Sequence, residues 1–167
     1  MSSDRPPKRV AAVTGEEFRH ACGRFATGIT IASVLDAAGG PHGLTVSSFA
    51  SVSLDPPLIL VCLGHEVSVI DHFRAAKHFG INVLTESQRD LSERFARKGE
   101  DRFDGLEWHA GTTGVPLLTG VLAALECRTS HRFTAGDHDI FVGEMLAARV
   151  ADGEPLIYFA SGYRGLR

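Results

Sequence analysis

The chain has little cysteine, no long apolar run and no excess of basic residues, and each shortage argues against a class of protein. Cys22, Cys62 and Cys127 are odd in number and far apart, without the C-x-x-C spacing of dithiol and metal centres. A disulfide framework is therefore not expected. We predict that all three are small, buried, apolar side chains in a reducing compartment.

Apolar stretches of the length that a membrane protein needs are also missing. The longest, residues 58–63 and 120–125, fall well below the roughly 20 residues with which a helix spans a bilayer. The N-terminal sequence MSSDRPPKRV lacks the apolar centre of a signal peptide. These absences predict a soluble, cytoplasmic protein without a membrane partner.

The charge balance argues against nucleic acid as a partner. The formal net charge is -3 and the isoelectric point is near 6.2, and no run of lysine and arginine is long enough to follow a phosphate backbone. A chain of 167 residues with 44% hydrophobic side chains fits one globular domain.

Several motifs that would identify an activity are absent. The chain contains neither G-x-G-x-x-G nor G-x-x-x-x-G-K-[ST], and it lacks the nucleophile elbow G-x-S-x-G and the zinc motif H-E-x-x-H. The glycine-rich segment 111–114 follows no convincing strand and is interpreted as a surface loop. A nucleotide, if one binds, must be held in another way.

Hydrophobic periodicity predicts a mainly β domain over residues 14–167, preceded by a flexible segment at 1–13. A first helix should begin at Thr14, with Glu17 completing a capping box and with Phe18 and Phe25 facing the core. Further helices are predicted at 67–77 and 87–98, and strands at 29–35, 58–63, 78–84, 121–130, 139–150 and 155–158. Because strands often follow one another directly, we expect an antiparallel barrel or sandwich with helices packed outside.

A run of hydroxyl side chains is the most informative feature of the sequence. Its members are Thr45, Ser47, Ser48, Ser51 and Ser53, and Asp55-Pro56-Pro57 stiffens the chain directly after them. Each hydroxyl needs a partner wherever it is buried, which favours a polar ligand. A solvated turn remains the alternative.

Two further segments are candidates for ligand binding. His138, between Asp137 and Asp139 at the start of an apolar strand, can present an N–H donor to a ligand amide, or it can be an exposed residue of a hairpin turn. The C-terminal segment 158–164 (YFASGYR) can place aromatic rings and an arginine over a planar ligand, or it can be a strand end.

In order and spacing, these segments resemble the flavin reductase family, the short reductase components of two-component flavin-dependent monooxygenases. The resemblance covers the chain from about Phe18 to Arg164. It is carried by residues 25–30 (FATGIT), 43–49 (GLTVSSF), 53–58 (SLDPPL), 78–84 (HFGINVL), 101–103 (DRF), 136–143 (GDHDIFVG) and 158–164.

The resemblance implies an antiparallel, Greek-key split β-barrel of the FMN-binding type, in a homodimer with flavin at the subunit interface. It implies that flavin, FMN or FAD, is bound by Thr27, Gly28, Thr45, Val46, Ser47, Ser48, Phe49, Ser51, Ser53, Asn82, Ser87 and Arg89. In this interpretation Asn82 closes the site and 87–89 meets the phosphate or adenylate end. The nicotinamide of NADH or NADPH is expected at His138, Tyr158, Tyr163 and Arg164.

The expected activity is NAD(P)H:flavin oxidoreduction, with reduced flavin supplied to a separate monooxygenase. Hydride transfer between two stacked rings needs little acid or base help, which agrees with the missing catalytic motifs. The absence of an obvious basic pocket favours NADH over NADPH. Two alternatives remain open: a non-catalytic flavin-binding or sensor protein on the same fold, and a small β-barrel metalloenzyme with His131 and His138 as ligands.

Overall fold

The structure is a computed structural model in which residues 12–99 and 101–166 are described. Most of the predicted flexible segment 1–13 lies outside these residues. The helices are α1 Gly15–Cys22, α2 Ile70–Ala75 and α3 Arg89–Ala96, and a 3-10 turn at Glu86–Gln88 leads into α3. No helix in the described ranges is long and apolar enough to cross a membrane.

Strands make up most of the regular structure, as the sequence predicts. They are β1 Thr27–Gly28, β2 Thr30–Leu35, β3 Pro41–Val46, β4 Ala50–Leu54, β5 Pro57–Gly64, β6 His78–Val83, β7 Trp108–Ala110, β8 Pro116–Leu118, β9 Ala123–Ala135, β10 His138–Val150, β11 Ile157–Phe159 and β12 Gly162–Arg164. A seven-stranded sheet has the order β3-β2-β6-β9-β10-β5-β4, and every pairing in it is antiparallel. The expectation of a mainly β, antiparallel domain with few helices is confirmed.

Two smaller sheets complete the architecture. One has the order β1-β11-β12 and the other pairs β7 with β8. The β9–β10 hairpin is the longest, and its two-residue turn contains Gly136 at a φ of 62°, a conformation that glycine adopts without strain. This turn places His138 at the first position of β10.

The core lies on both faces of the large sheet. Side chains alternate along a strand, so Ala32 packs in one apolar cluster while Ile31 packs in the other. The first cluster contains Phe73 from α2 and the second contains Phe95 from α3. Both helices are therefore fixed to the sheet by a fully buried aromatic ring.

The first helix forms as predicted, but its apolar face is not covered within the chain. Thr14 caps α1, and Glu17 completes the capping box. Phe18 is 62% exposed and Phe25 is 77% exposed, so the prediction that they face the core is wrong for the single chain. The helix buries none of its residues, because it lies beside the domain and covers no sheet face.

Other expectations from the sequence also need correction. Of the three cysteines predicted to be buried, only Cys127 is, and burial raises the pKa of its thiol to about 12. Cys62 is half-buried, and Cys22 at the end of α1 is exposed. The helix predicted at 67–77 is limited to α2, because residues 67–69 form hydrogen-bonded turns and include weak helix formers. The strands β1, β7, β8 and β12 are too short to show a periodic pattern.

Candidate functional site

One group of predicted site residues meets where α3 packs against β3. The Thr45 hydroxyl donates to the backbone carbonyl of Ser92 at 2.6 Å, and the Ser92 hydroxyl lies 2.9 Å from the Tyr163 hydroxyl. The Tyr163 ring packs edge to face against the Tyr158 ring, with 5.4 Å between the centroids. The guanidinium carbon of Arg89 lies 5.1 Å from the centroid of the Tyr163 ring. We call these five residues the tyrosine cluster.

Ser92 is the member of this cluster that sequence reasoning missed. It is 0% exposed and joins a predicted flavin residue, Thr45, to a predicted nicotinamide residue, Tyr163. The sequence contains one signal that could have identified Ser92. It lies three residues before Phe95 and so shares the buried face of α3. A polar residue at a core position of a helix indicates a required hydrogen bond.

The start of α3 carries an accessible positive charge next to this cluster. The Arg89 side chain is 62% exposed and donates through Nε to Glu93 at 2.8 Å. Ser87 is exposed and its hydroxyl lies 2.9 Å from that of Thr85. An arginine and a hydroxyl at a helix N-terminus suit a phosphate group, since the amide dipoles there favour negative charge.

Thr27 supplies a hydroxyl that nothing in the described chain uses. It lies on β1 opposite Tyr158, and its Oγ1 is inaccessible to solvent without a hydrogen-bond partner among the described residues. Beside it, Gly28 is exposed and faces open space. An unpaired buried hydroxyl costs about 1–3 kcal/mol, so a ligand that hydrogen-bonds Thr27 removes a penalty already present in the fold.

The predicted hydroxyl loop is mostly strand, and its members have different environments. Ser48 is committed to the fold, because its hydroxyl donates to the Cys62 carbonyl at 3.0 Å and accepts from the Cys62 N–H at 2.9 Å. Val46 is buried and Phe49 packs against the core. Among the remaining hydroxyls, Ser47 and Ser51 are exposed and Ser53 is half-buried.

Asn82 does not lie at the surface. It is 0% exposed, and its amide nitrogen donates to the Ile31 carbonyl at 3.1 Å and to the Ser33 hydroxyl at 3.2 Å. Its side-chain oxygen accepts from the Leu118 N–H at 2.8 Å. With both ends of the amide occupied inside the core, this side chain joins β6 to its neighbours and is not brought to the other predicted site residues.

His138 is presented at the tip of the β9–β10 hairpin, opposite Gly64 of β5. Its side chain is 47% exposed and its Nδ1 lies 2.7 Å from an oxygen of Asp137. This contact lowers the pKa of the Asp137 carboxyl. The ring lies over Gly64, and its second nitrogen, Nε2, would be 3.6 Å from a Cβ atom added at that glycine.

The next residue, Asp139, anchors the hairpin to its surroundings. It is 1% exposed, and its carboxylate accepts from Arg74 Nε at 2.9 Å and from the Thr134 hydroxyl at 2.9 Å, while His65 Nε2 lies 3.1 Å away. The Arg74 bond lowers the pKa of Asp139 to about 2, more than burial raises it. This charged network fixes the start of β10 against α2 and the end of β5.

Within one chain the predicted nicotinamide residues form two separate groups. Tyr158 and Tyr163 belong to the tyrosine cluster, whereas His138 lies at the hairpin tip. Among the described residues, no hydrogen bond, ion pair or ring contact joins His138 to the two tyrosines. Arg164 is exposed and donates to the carbonyl of Tyr163 at 2.9 Å.

The predicted metal alternative has no support in the geometry. His131 pairs with Val142, four residues along β10 from His138, which is roughly 13 Å at the rise of a β-strand. Among the described residues, neither histidine belongs to a group of three or more ligand atoms close enough to hold one ion. His131 instead stacks on Phe133 at 5.9 Å between ring centroids.

Comparisons with known proteins agree with the resemblance seen in the sequence. The model of the flavin reductase like domain matches residues 22–167. The FMN reductase (NADH) SmoA of Agrobacterium fabrum is 44% identical over 161 residues, covering 95% of this chain and 91% of that protein. The reductase component of the flavin-dependent trigonelline monooxygenase of Acinetobacter baylyi is 42% identical over 147 residues, or 88% of this chain.

The chain spans about half, 47%, of the length of this Acinetobacter protein and of a further relative from Rhizobium meliloti. Among solved structures, the NADH:FAD oxidoreductase SgcE6 of Streptomyces globisporus, in complex with NAD and FAD fragments, has a TM-score of 0.85 at 33% identity. The match covers 93% of this chain and 96% of the SgcE6 chain. The match to the family model over most of the chain and the agreement in fold show that this chain belongs to the flavin reductase like domain family.

Proposed function

We propose that the chain is an NAD(P)H:flavin oxidoreductase that supplies reduced FMN or FAD to a separate monooxygenase. The observation that carries the proposal is the arrangement of an unpaired buried hydroxyl, Thr27, beside a cluster of two tyrosines and an accessible arginine. Relatives named as FMN reductase (NADH) and as monooxygenase reductase components support it.

The residues present fit a flavin. In the proposal, Thr27 and Thr45 face the ring system and the ribityl chain, with Gly28 leaving room for close approach. Ser47, Ser51 and Ser53 supply further hydroxyls, and Ser87 and Arg89 meet the phosphate end. Ser48, Val46, Phe49 and Asn82 act through the fold, since their side chains are occupied or buried.

When bound, the flavin accepts a hydride from the nicotinamide, and this chemistry belongs to the cofactor. The task of the chain is to hold two planar rings within reach and to exclude water from between them. With its Nδ1–H directed to the Asp137 carboxylate, His138 would accept through Nε2 from the N–H of the nicotinamide amide. Tyr158 and Tyr163 border the rings with aromatic faces.

We further propose that the protein is a homodimer in which the large sheet forms a split barrel with the flavin at the subunit interface. Large apolar side chains exposed near α1, on the edge strand β4 and along the β9–β10 hairpin support this, because a second copy would cover them. They include Phe18, Phe25, Val52, Leu54, Phe133, Leu146 and Val150. A second copy would also bring its His138 hairpin toward the tyrosine cluster, which the single chain leaves separate.

The activity is tested by following NADH absorbance with purified full-length chain. We expect NADH consumption only when FMN or FAD is added, and bleaching of flavin absorbance when oxygen is removed. Absence of flavin-dependent consumption with both NADH and NADPH would refute the proposal. Flavin binding without bleaching would instead favour the non-catalytic flavin-binding protein.

The nicotinamide position is tested with His138→Ala and the matched control His131→Ala. Both residues are exposed histidines of the same hairpin. We expect His138→Ala to raise the KM for NADH about tenfold, one lost hydrogen bond to a ligand being worth about 1.4 kcal/mol, with flavin affinity unchanged. Equal KM values for the two variants would show that the nicotinamide lies elsewhere.

A further inference from the structure

Three potential metal ligands meet on the side of the domain where the β2–β3 turn approaches α2. Asp36 follows β2, His42 is on β3 and His72 is on α2. One ligand atom from each lies within 4.8 Å of the others, and all three side chains are half-buried. They are the one such group of His, Cys, Asp and Glu found across residues 12–99 and 101–166.

We propose that Asp36, His42 and His72 bind a divalent transition-metal ion, of which Zn²⁺ is the best match. Two imidazoles and one carboxylate are a donor set that zinc commonly takes, and a coordination position remains for water. The site would tie together three elements that are joined otherwise by the sheet and by packing of α2. This proposal is independent of the flavin chemistry.

The spacing of the first two ligands already approaches that of a zinc site. Asp36 Oδ2 and His42 Nε2 are 2.9 Å apart. Zinc bonds of about 2.0 Å in a tetrahedron place neighbouring ligand atoms about 3.3 Å apart. If Asp36 Oδ2 and His42 Nε2 move apart by a few tenths of an ångström, the ion fits between them. It then replaces the proton of their hydrogen bond.

The Asp36 carboxylate is oriented for this role by the backbone. Its Oδ1 accepts from the N–H groups of Ala38 and Gly40, each at 2.8 Å, and this leaves Oδ2 directed toward the histidines. Hydrogen bonds of this kind to the uncoordinated oxygen hold a ligating carboxylate in one orientation.

His72 must turn for the third bond to form. Its ring is stacked on that of His42 at 3.9 Å between centroids with only 10° between the planes. A metal ion lies in the plane of each imidazole that binds it, so two parallel stacked rings cannot share one. Metal binding therefore requires a rotation of the half-buried His72 side chain, which gives up the stacking contact.

A cleft of about 410 Å³ beside the three residues gives access to the ion. Gly43, Ser68 and Asp101 also line it. None of the residues that line the cleft belongs to the tyrosine cluster. Loss of the metal site should therefore leave flavin reduction intact.

The test uses full-length, tag-free chain stripped of metal with a chelator and titrated with ZnCl₂ by calorimetry. We expect one Zn²⁺ per chain, and at least a tenfold weaker affinity in His72→Asn and in His42→Asn, since each removes one of three protein ligands. The matched control is His109→Asn, an exposed histidine on β7 that should bind Zn²⁺ like the unaltered chain.

Thermal unfolding with and without about 100 μM ZnCl₂ gives a second readout, because an ion that binds only the folded chain raises Tm. The unaltered chain and His109→Asn should shift, whereas His72→Asn should not. If His42→Asn fails to fold, His72→Asn and His72→Gln carry the test alone. No binding by the unaltered chain at this concentration, or equal binding by His72→Asn and His109→Asn, would overturn the proposal, while flavin reduction would be unaffected by either result.

Discussion

Replacing Asp139 by asparagine tests whether the charged network behind His138 holds the hairpin in place. Asp139 accepts from Arg74 and Thr134, and His65 lies at hydrogen-bond distance, while the carboxylate itself is almost completely buried. If the asparagine oxygen stays with Thr134 and His65, the amide nitrogen, a donor, faces Arg74; if the oxygen stays with Arg74, the nitrogen faces Thr134 and His65. Both orientations remove the carboxylate charge from every bond of the network, and the first also sets a donor against the Arg74 donor.

The expected loss of unfolding free energy is about 2–3 kcal/mol. Breaking a fully buried ion pair costs about 3–5 kcal/mol, but the Arg74 side chain is 34% exposed and can regain water when its partner is gone. The lower estimate also matches one hydrogen bond to a charged group, about 1.5–3 kcal/mol. Urea unfolding at equal chain concentration measures the loss.

Asp71→Asn is the matched control, because Asp71 is the other carboxylate on Arg74. It lies 3.2 Å from the arginine with its side chain 88% exposed, so its removal should cost less than about 1 kcal/mol. A loss in Asp139→Asn no greater than in Asp71→Asn would refute the reasoning. Under the proposed function, Asp139→Asn should also raise the KM for NADH, since His138 is its neighbour.

The pH dependence of the same network has a definite sign. The pKa of Asp139 is lowered from 3.8 to about 2 in the folded chain. Its contribution to stability is therefore complete above pH 4 and is lost as the pH falls through about 2, where the folded state must also take up the proton. Asp139→Asn should lack this part of the acid sensitivity, and an identical acid unfolding curve would contradict the assignment.

Three further predictions concern the fold around the site. Glu126→Gln should lower the unfolding free energy by about 2–3 kcal/mol, because this buried carboxylate accepts three hydrogen bonds from Thr112 and Thr113. These bonds lower the pKa of Glu126, which burial alone would raise, so the variant should also lose part of the acid dependence of stability below pH 4.5. A urea midpoint equal to that of the unaltered chain would contradict this. Phe95→Ala should lose about 3–5 kcal/mol by urea unfolding, since the ring is 1% exposed, and a loss below 1 kcal/mol would show that α3 is not fixed by it. Ser161→Gly should gain about 0.5 kcal/mol or more, because Ser161 has a φ of 61°; a lower Tm would mean that the β11–β12 turn is not strained.

The secondary structure was predictable where the local signals were strong. The capping box at Thr14, the alternation along β5 and the turn glycine before His138 each act within a few residues, so the sequence contains them directly. Phe18 and Phe25 were misjudged because helical periodicity predicts an apolar face without saying what covers it. The family itself followed from the order of short motifs, which are also local.

The sequence by itself determined the mainly antiparallel β architecture, the family and the residue types available for a flavin, because periodicity, capping and motif order depend on neighbours along the chain. Only the tertiary structure decided which hydroxyl groups already have a hydrogen-bond partner within the described chain and which do not. Ser48 and Asn82 have partners distant in sequence, whereas the Thr27 hydroxyl is buried without one in the described chain. Long-range packing also created the contacts through Ser92 and brought His42 to His72, since such contacts join positions whose separation along the chain carries no periodic signal.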